Sequence, residues 1–277
     1  MSVSRTSGET MTERERGSPV VLITGGTSGI GEACVELFHA KGYFVGFCSN
    51  DPRAGHSLEA KLNSIQEDSS AFVECDVRSA EQIDRMVAEI ASQFGRLDVL
   101  INNVGVSLQA RTLDNVSIAE IDDLLLVNLR SCLLTSRRAL PSLRKARGAI
   151  VNIGSIAASI GHERLAVYCA TKGGISAFTR AMAIDEAEWG VRVNVVLPGN
   201  IITASRQRLE DSLVNREEFH KLVETWQWMG RSGHADEVAR VCLFLAQNES
   251  SFITGTEIAV TGGAEIGFGP KVRCDLT

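Results

Sequence analysis

Short apolar runs and amphipathic stretches alternate along this chain from Val20 to Val260, and that alternation leaves few folds open. The apolar runs are Val20–Thr24, Phe44–Cys48, Ala71–Cys75, Val99–Asn102, Ala149–Ile153, Val191–Leu197 and Glu257–Val260. Such short runs between helical stretches fit parallel strands buried on both faces. Between them the periodicity predicts helices near Gly31–Lys41, Arg53–Gln66, Ala80–Phe94, Ile118–Lys145, Ala166–Trp189 and Ala235–Ala246. Glycines 42, 95, 148 and 190 are expected to close four of these helices, where a left-handed residue ends the last turn. The predicted fold class is α/β, a single doubly wound parallel sheet of about seven strands with helices on both faces, spanning residues 19–269. Residues 204–229 break the rhythm and carry Trp226, Trp228 and Met229. They read as a lid over a substrate or as a plain surface excursion.

Two local patterns carry chemistry. The first follows Val20–Thr24, where Gly25-Gly26-Thr27-Ser28-Gly29-Ile30-Gly31 leads into a helical stretch. Strand, glycine turn and helix in that order suit a Rossmann-type dinucleotide site. Gly25, Gly29 and Gly31 let the backbone turn and approach a ligand without a Cβ clash, and the helix N-terminus favours a pyrophosphate. The spacing is G-x-x-x-G-x-G rather than G-x-G-x-x-G. The second pattern is Tyr168 with Lys172, one helical turn apart, thirteen residues after Ser155. A free phenol has a pKa of about 10, and an ammonium beside it would draw that value toward neutrality. Ser155 follows the run ending at Ile153, where its hydroxyl can hold a carbonyl or alcohol oxygen.

With Asp76-Val77, Asn102-Asn103-Val104-Gly105, Asn128, and Pro198-Gly199 with Thr203, these motifs make the chain resemble the short-chain dehydrogenase/reductase family from about Pro19 to Gly269. Val104 departs from the alanine usual there. Pro198-Gly199-Asn200-Ile201 and the ending Val260 to Gly269 look most like the 17β-hydroxysteroid dehydrogenase type 14 (L-fucose dehydrogenase) group. The resemblance implies that Asn128, Ser155, Tyr168 and Lys172 are catalytic: Ser155 positions the oxygen, Tyr168 moves the proton, and Asn128 holds a water that links Lys172 to solvent. It implies cofactor contacts from Gly25, Thr27, Ser28, Gly29, Ile30 and Gly31, from Asn103 and Gly105, and from Tyr168 and Lys172. Pro198, Gly199 and Ile201 would also contact the cofactor, with Thr203 on the nicotinamide carboxamide. Asp76 would accept from the adenine amino group beside Val77, or cap the following helix, or do both. Asn102 and Gly105 read equally as a turn that stabilises the sheet, and Asn128 as a satisfied core amide. Val106, Ser155, His162 and Ile202 are the substrate candidates. Histidine, glutamine and tryptophan stand in the type 14 group where this chain has Val106, His162 and Ile202.

The implied reaction is NAD(P)-dependent interconversion of a secondary alcohol and a ketone. Dehydration, epimerisation and a silent dinucleotide-binding protein are the alternatives. NADP(H) is favoured over NAD(H), because Ser49 stands where the type 14 group has aspartate. Its neutral hydroxyl removes the repulsion of a 2′-phosphate, and Arg53 can reach to pair with one. Asp51 is expected to cap the helix near Arg53. A net charge of −6 with scattered basic residues argues against nucleic acid as a partner. No apolar run nears the ~20 residues that span a bilayer. Residues 1–18 are polar and lack an apolar core, so they read as a disordered tail rather than a signal peptide. Residues 270–277 read as a C-terminal tail. Seven cysteines without C-x-x-C spacing read as buried thiols in a reducing compartment, so the expected location is cytoplasmic, with no metal. The resemblance implies a homotetramer built through the helices carrying Asn128 and Tyr168 and the last strand, segments that are long and apolar here, with a dimer as the alternative.

Overall fold

The computed structural model describes residues 17–204, 206–207, 215–218 and 225–266. One parallel sheet contains β1 (Val20–Thr24), β2 (Phe44–Ser49), β3 (Ser70–Glu74), β4 (Val99–Asn102), β5 (Ala149–Ile153), β6 (Arg192–Pro198) and β9 (Glu257–Val260), in the order 3-2-1-4-5-6-9. A separate two-residue parallel ladder pairs β7 (Ile201–Ile202) with β8 (Gly233–His234). The helices are α1 (Gly29–Ala40), α2 (Pro52–Asn63), α3 (Ala80–Phe94), α4 (Ile118–Leu124), α5 (Ser131–Ala146), α6 (Ala166–Asp185) and α7 (Ala235–Ala246).

Strand side chains alternate between faces, so Val20 and Leu22 enter one core layer and Val21 and Ile23 the other. The first layer takes Ile83, Met86 and Ile90 from α3 and Leu143 from α5. The second takes Val35 and Phe38 from α1, Leu58 from α2 and Val238 from α7. Both faces are covered, which is why β1 reads as an unbroken apolar run. Strand order reverses between β1 and β4, and the carboxyl ends there diverge into a crevice.

Three expectations need correction. Residues 118–146 do not form one regular helix, because a π-helical segment, Leu125–Arg130, separates α4 from α5. The stretch to Trp189 likewise ends its α-helix at Asp185, before a 3₁₀ turn at Ala187–Trp189. Gly42, Gly95 and Gly190 do take left-handed φ, but Gly148 does not. Arg147 holds that conformation, at φ 52°. Gly148 is needed for space, since a Cβ there would lie 2.0 Å from the Asp98 carbonyl oxygen. The tail expected at 1–18 lies outside the described residues except for 17–18. Much of the stretch 204–229, expected as a lid or a surface excursion, and all of the tail expected at 270–277 lie outside them too.

Candidate active site

The glycine turn links β1 to α1. Gly25 and Gly29 adopt φ of +68° and +57°, which only glycine takes readily. A Cβ at Gly31 would lie 2.0 Å from the Gly25 carbonyl oxygen, so α1 can start this close to the turn only with glycine there. Ser28 is the N-cap of α1 but makes no side-chain cap bond, leaving the first N–H groups of the helix for a ligand. Ile30 packs its side chain against the core. Asn103 ties the turn to β4: its Nδ2 donates to the carbonyl oxygens of Thr24 and Gly25, at 3.0 Å each. Asn102, one residue earlier, points into the core and donates to Ser136 and Asn152. Asn102 therefore serves the sheet, and Asn103 the turn.

At the end of β2, Ser49 Oγ accepts from Thr27 Oγ1 at 2.8 Å and from the Asp51 N–H at 3.0 Å. However the two hydroxyls are turned, one hydroxyl hydrogen of the Thr27–Ser49 pair is left for a ligand acceptor. Asp51 caps α2 as expected, accepting from the Ala54 N–H at 3.1 Å. Arg53 is exposed and has no hydrogen-bond or ion-pair partner among the described residues. Asp76 is not a helix cap, because Ser79 caps α3 by accepting from the Gln82 N–H. Asp76 accepts from the Arg78 N–H and, at 3.3 Å, from its guanidinium. The side chains of Val77 and Ile201 are buried in the core, so a ligand could meet these residues only at their main chains.

The catalytic candidates converge on the carboxyl ends of β4 and β5. Ser155 opens a 3₁₀ turn, its Oγ accepting from the Ala157 N–H at 3.2 Å. Lys172 is buried and donates from Nζ to the Ile153 carbonyl oxygen at 2.9 Å, with Nζ 5.9 Å from the centre of the Tyr168 ring. Gly105 makes room for that ammonium, since a Cβ there would lie 3.1 Å from Nζ. Burial pushes the Lys172 pKa down to about 8. Burial also pushes the Tyr168 phenol up, and a hydrogen bond with Ser155 pulls the other way. The expected lowering of the phenol by Lys172 is therefore not seen: burial dominates, and the group that pulls the phenol down is Ser155 rather than the ammonium.

Asn128 sits fully buried in the π segment. Its Oδ1 accepts from the Val106 N–H at 2.8 Å, and its Nδ2 donates to the Val106 carbonyl oxygen at 2.9 Å and to Thr171 Oγ1 at 3.2 Å. Thr171 donates in turn to the Tyr168 carbonyl oxygen at 2.8 Å. Thr171 escaped the sequence reading because nothing marks a threonine inside Tyr168-Cys169-Ala170-Thr171-Lys172 until its partner on another helix is known.

Thr203 lies against the glycine turn, its methyl group 3.1 Å from where a Cβ at Gly29 would stand, and its Oγ1 accepts from the Arg206 N–H. The Pro198-Gly199 turn is held by the Gly199 N–H donating to the Val260 carbonyl oxygen. Among the substrate candidates, the side chains of Val106 and Ile202 are exposed, and the His162 ring meets the Trp226 ring edge-on at 6.3 Å. Six cysteines are described and all are free thiols, five of them buried. Among the described residues no cluster of three or more His, Cys, Asp or Glu side chains could hold a metal. No described helix is long and apolar enough to cross a membrane.

The residues fit a dinucleotide: open glycine backbone and uncapped helix N–H groups for the phosphates, a spare hydroxyl hydrogen at β2 and a buried ammonium at the end of β5. A family profile described as enoyl-(acyl carrier protein) reductase matches residues 25–265. Mouse L-fucose dehydrogenase is 40% identical over 252 residues, covering 91% of this chain and 90% of its own. Meso-2,3-butanediol dehydrogenase of Serratia marcescens is 35% identical, covering 91% and 97%. The solved structure "ElxO with NADP Bound" superposes with a TM-score of 0.82 at 32% identity, covering 89% of this chain and 98% of that one. Kinship over nine-tenths of its length and the same doubly wound sheet lead to one conclusion: the chain belongs to the short-chain dehydrogenase/reductase family and is an NAD(P)-dependent oxidoreductase that interconverts alcohols and ketones.

Proposed function

We propose that the reaction runs through Ser155, Tyr168 and Lys172 and that NADP(H) is the preferred cofactor, with NAD(H) the weaker one. The convergence of a strand-end serine, a tyrosine bonded to it and a buried lysine that lies against Gly105 and bonds to Ile153 carries this reading. When bound, the nicotinamide supplies or accepts the hydride. In reduction, Ser155 and the Tyr168 hydroxyl hold the carbonyl oxygen and Tyr168 gives it a proton; in oxidation Tyr168 takes that proton back. Lys172 spends one of its three donors on Ile153 and has two for the nicotinamide ribose. Its charge then stabilises the phenolate as the proton leaves. Asn128 holds the Val106 main chain and, through Thr171, the turn of α6 that carries Tyr168; it is also the residue proposed to connect Lys172 with solvent. Asp76 would accept from the adenine amino group.

The NADP(H) preference is supported by the neutral Ser49 hydroxyl and by Arg53. Asp51 is already engaged as a helix cap and does not replace the missing carboxylate. A charge-assisted hydrogen bond is worth roughly 1.5–3 kcal/mol, so one phosphate–Arg53 contact corresponds to about a 10- to 150-fold preference. The test is kcat/KM with each reduced cofactor against a carbonyl panel, followed by its loss in Ser49→Asp. We expect NADPH to win and Ser49→Asp to turn the preference toward NADH. A wild-type enzyme already favouring NADH tenfold or more would overturn the assignment. Product formed without net nicotinamide turnover would point instead to dehydration or epimerisation.

The enzyme is further proposed to work as a homotetramer in the cytoplasm on a small alcohol or ketone, without nucleic acid or membrane. Free buried thiols suit a reducing compartment, and exposed apolar side chains on α4 and α6 suit association.

A further inference from the structure

Three apolar side chains stand exposed in the segments that follow β4, β5 and β6. Val106 follows β4, Ile160 lies in the segment after Ser155, and Ile202 precedes Thr203; their exposures are 42, 40 and 44%. The main chain of each is fixed. Val106 is bonded twice to Asn128, Ile160 donates to the Ile156 carbonyl oxygen, and Ile202 lies in the ladder of β7 with β8. These are therefore uncovered apolar side chains on anchored backbone, in the segments that leave the carboxyl ends of three successive strands, the side on which a doubly wound sheet takes its ligand. A fourth contribution comes from a different segment, where Trp226, 43% exposed, meets the His162 ring edge-on. Nδ1 of His162 lies 3.2 Å from the Glu163 carbonyl oxygen, which engages that nitrogen with the main chain.

Two arginines that line the pocket beside Tyr168 carry ion-pair partners. Arg111 pairs with Glu120 at 2.6 Å and Arg164 with Glu163 at 3.4 Å, so neither is an unpaired cation awaiting an anionic substrate. The Ser107 hydroxyl donates to the Leu108 carbonyl oxygen. A sugar bound here would lay several hydroxyls against valine, isoleucine and indole surface, losing hydrogen bonds to water without replacing them.

Resting on the reaction proposed above, we propose that the substrate is a neutral secondary alcohol, or its ketone, whose remaining surface is apolar and cyclic or aryl-bearing. Val106, Ile160, Ile202 and the His162–Trp226 pair form its wall. The test is oxidation with NADP⁺ of cyclopentanol, cyclohexanol and a phenyl-substituted cyclohexanol, against L-fucose and D-glucose. We expect kcat/KM to rise about tenfold or more as apolar surface is added, and to exceed that for either sugar by about a hundredfold. Ile202→Ser and Trp226→Ala should each raise KM for the phenyl-substituted alcohol by about tenfold while changing kcat less. A sugar turned over as well as the best apolar alcohol would overturn the substrate class and leave the reaction standing. Variants that left the discrimination intact would overturn the assigned wall. No turnover of any alcohol with either cofactor would overturn the reaction, and the substrate class with it.

Discussion

At neutral pH the Tyr168 phenol is protonated in the cofactor-free enzyme, because burial raises its pKa further than Ser155 lowers it. The hydroxyl matters when the proton moves, so Tyr168→Phe should lose nearly all kcat while cofactor affinity stays within a few-fold. Fluorescence titration of cofactor beside steady-state rates checks this, and a tenth or more of wild-type turnover would remove Tyr168 from its role. Lys172 makes a different prediction. Its folded pKa of about 8 lies below the ordinary 10.5. Below about 8 the lysine is charged in both folded and unfolded chains, and the cost of burying that charge weighs on the fold. Between the two values only the unfolded chain keeps the proton, so stability rises with pH across that window. Urea unfolding of the cofactor-free enzyme should show this gain from neutral pH into the alkaline range, and Lys172→Met should lack it.

Glycine is required at the ends of elements for different reasons at two positions. Gly95 closes α3 at φ 72° with nothing within 4 Å of an added Cβ. Gly95→Ala should therefore show the conformational cost alone, about 1–2 kcal/mol. At Gly148 the added Cβ would meet the Asp98 carbonyl oxygen, which is backbone of the strand entry and cannot swing aside. Gly148→Ala should cost more than Gly95→Ala in urea unfolding, and equal losses would refute the steric reading. The π segment shows a third kind of constraint. Its wider turn lies where Asn128 holds both polar groups of the Val106 main chain, so a helix irregularity and a loop position are one interaction.

For the whole molecule, the apolar surface that a lone chain leaves uncovered lies away from the crevice as well as in it. Ile118 on α4 and Ile184 on α6 are each 78% exposed. A stable assembly through these helices and β9 would cover them. Light scattering should return a mass near four chains, with a dimer as the smaller outcome; a single species near 29.9 kDa would exclude both.

The sequence by itself determined the strands, the order of elements and the residues proposed to carry the chemistry, because those signals are local. Apolar runs between helical stretches announce a sheet buried on both faces, Gly25 to Gly31 announces the turn, and a four-residue spacing puts Tyr168 and Lys172 on one helix face. What the tertiary structure decided depends on partners far along the chain. Lys172 bonds to Ile153, Asn128 to Val106, and His162 meets Trp226. Asp76 looked like a cap until Ser79 was seen in that place. The direction of the Tyr168 shift also had to wait for the fold, since desolvation sums over everything packed around the phenol, whereas spacing reports only one neighbour.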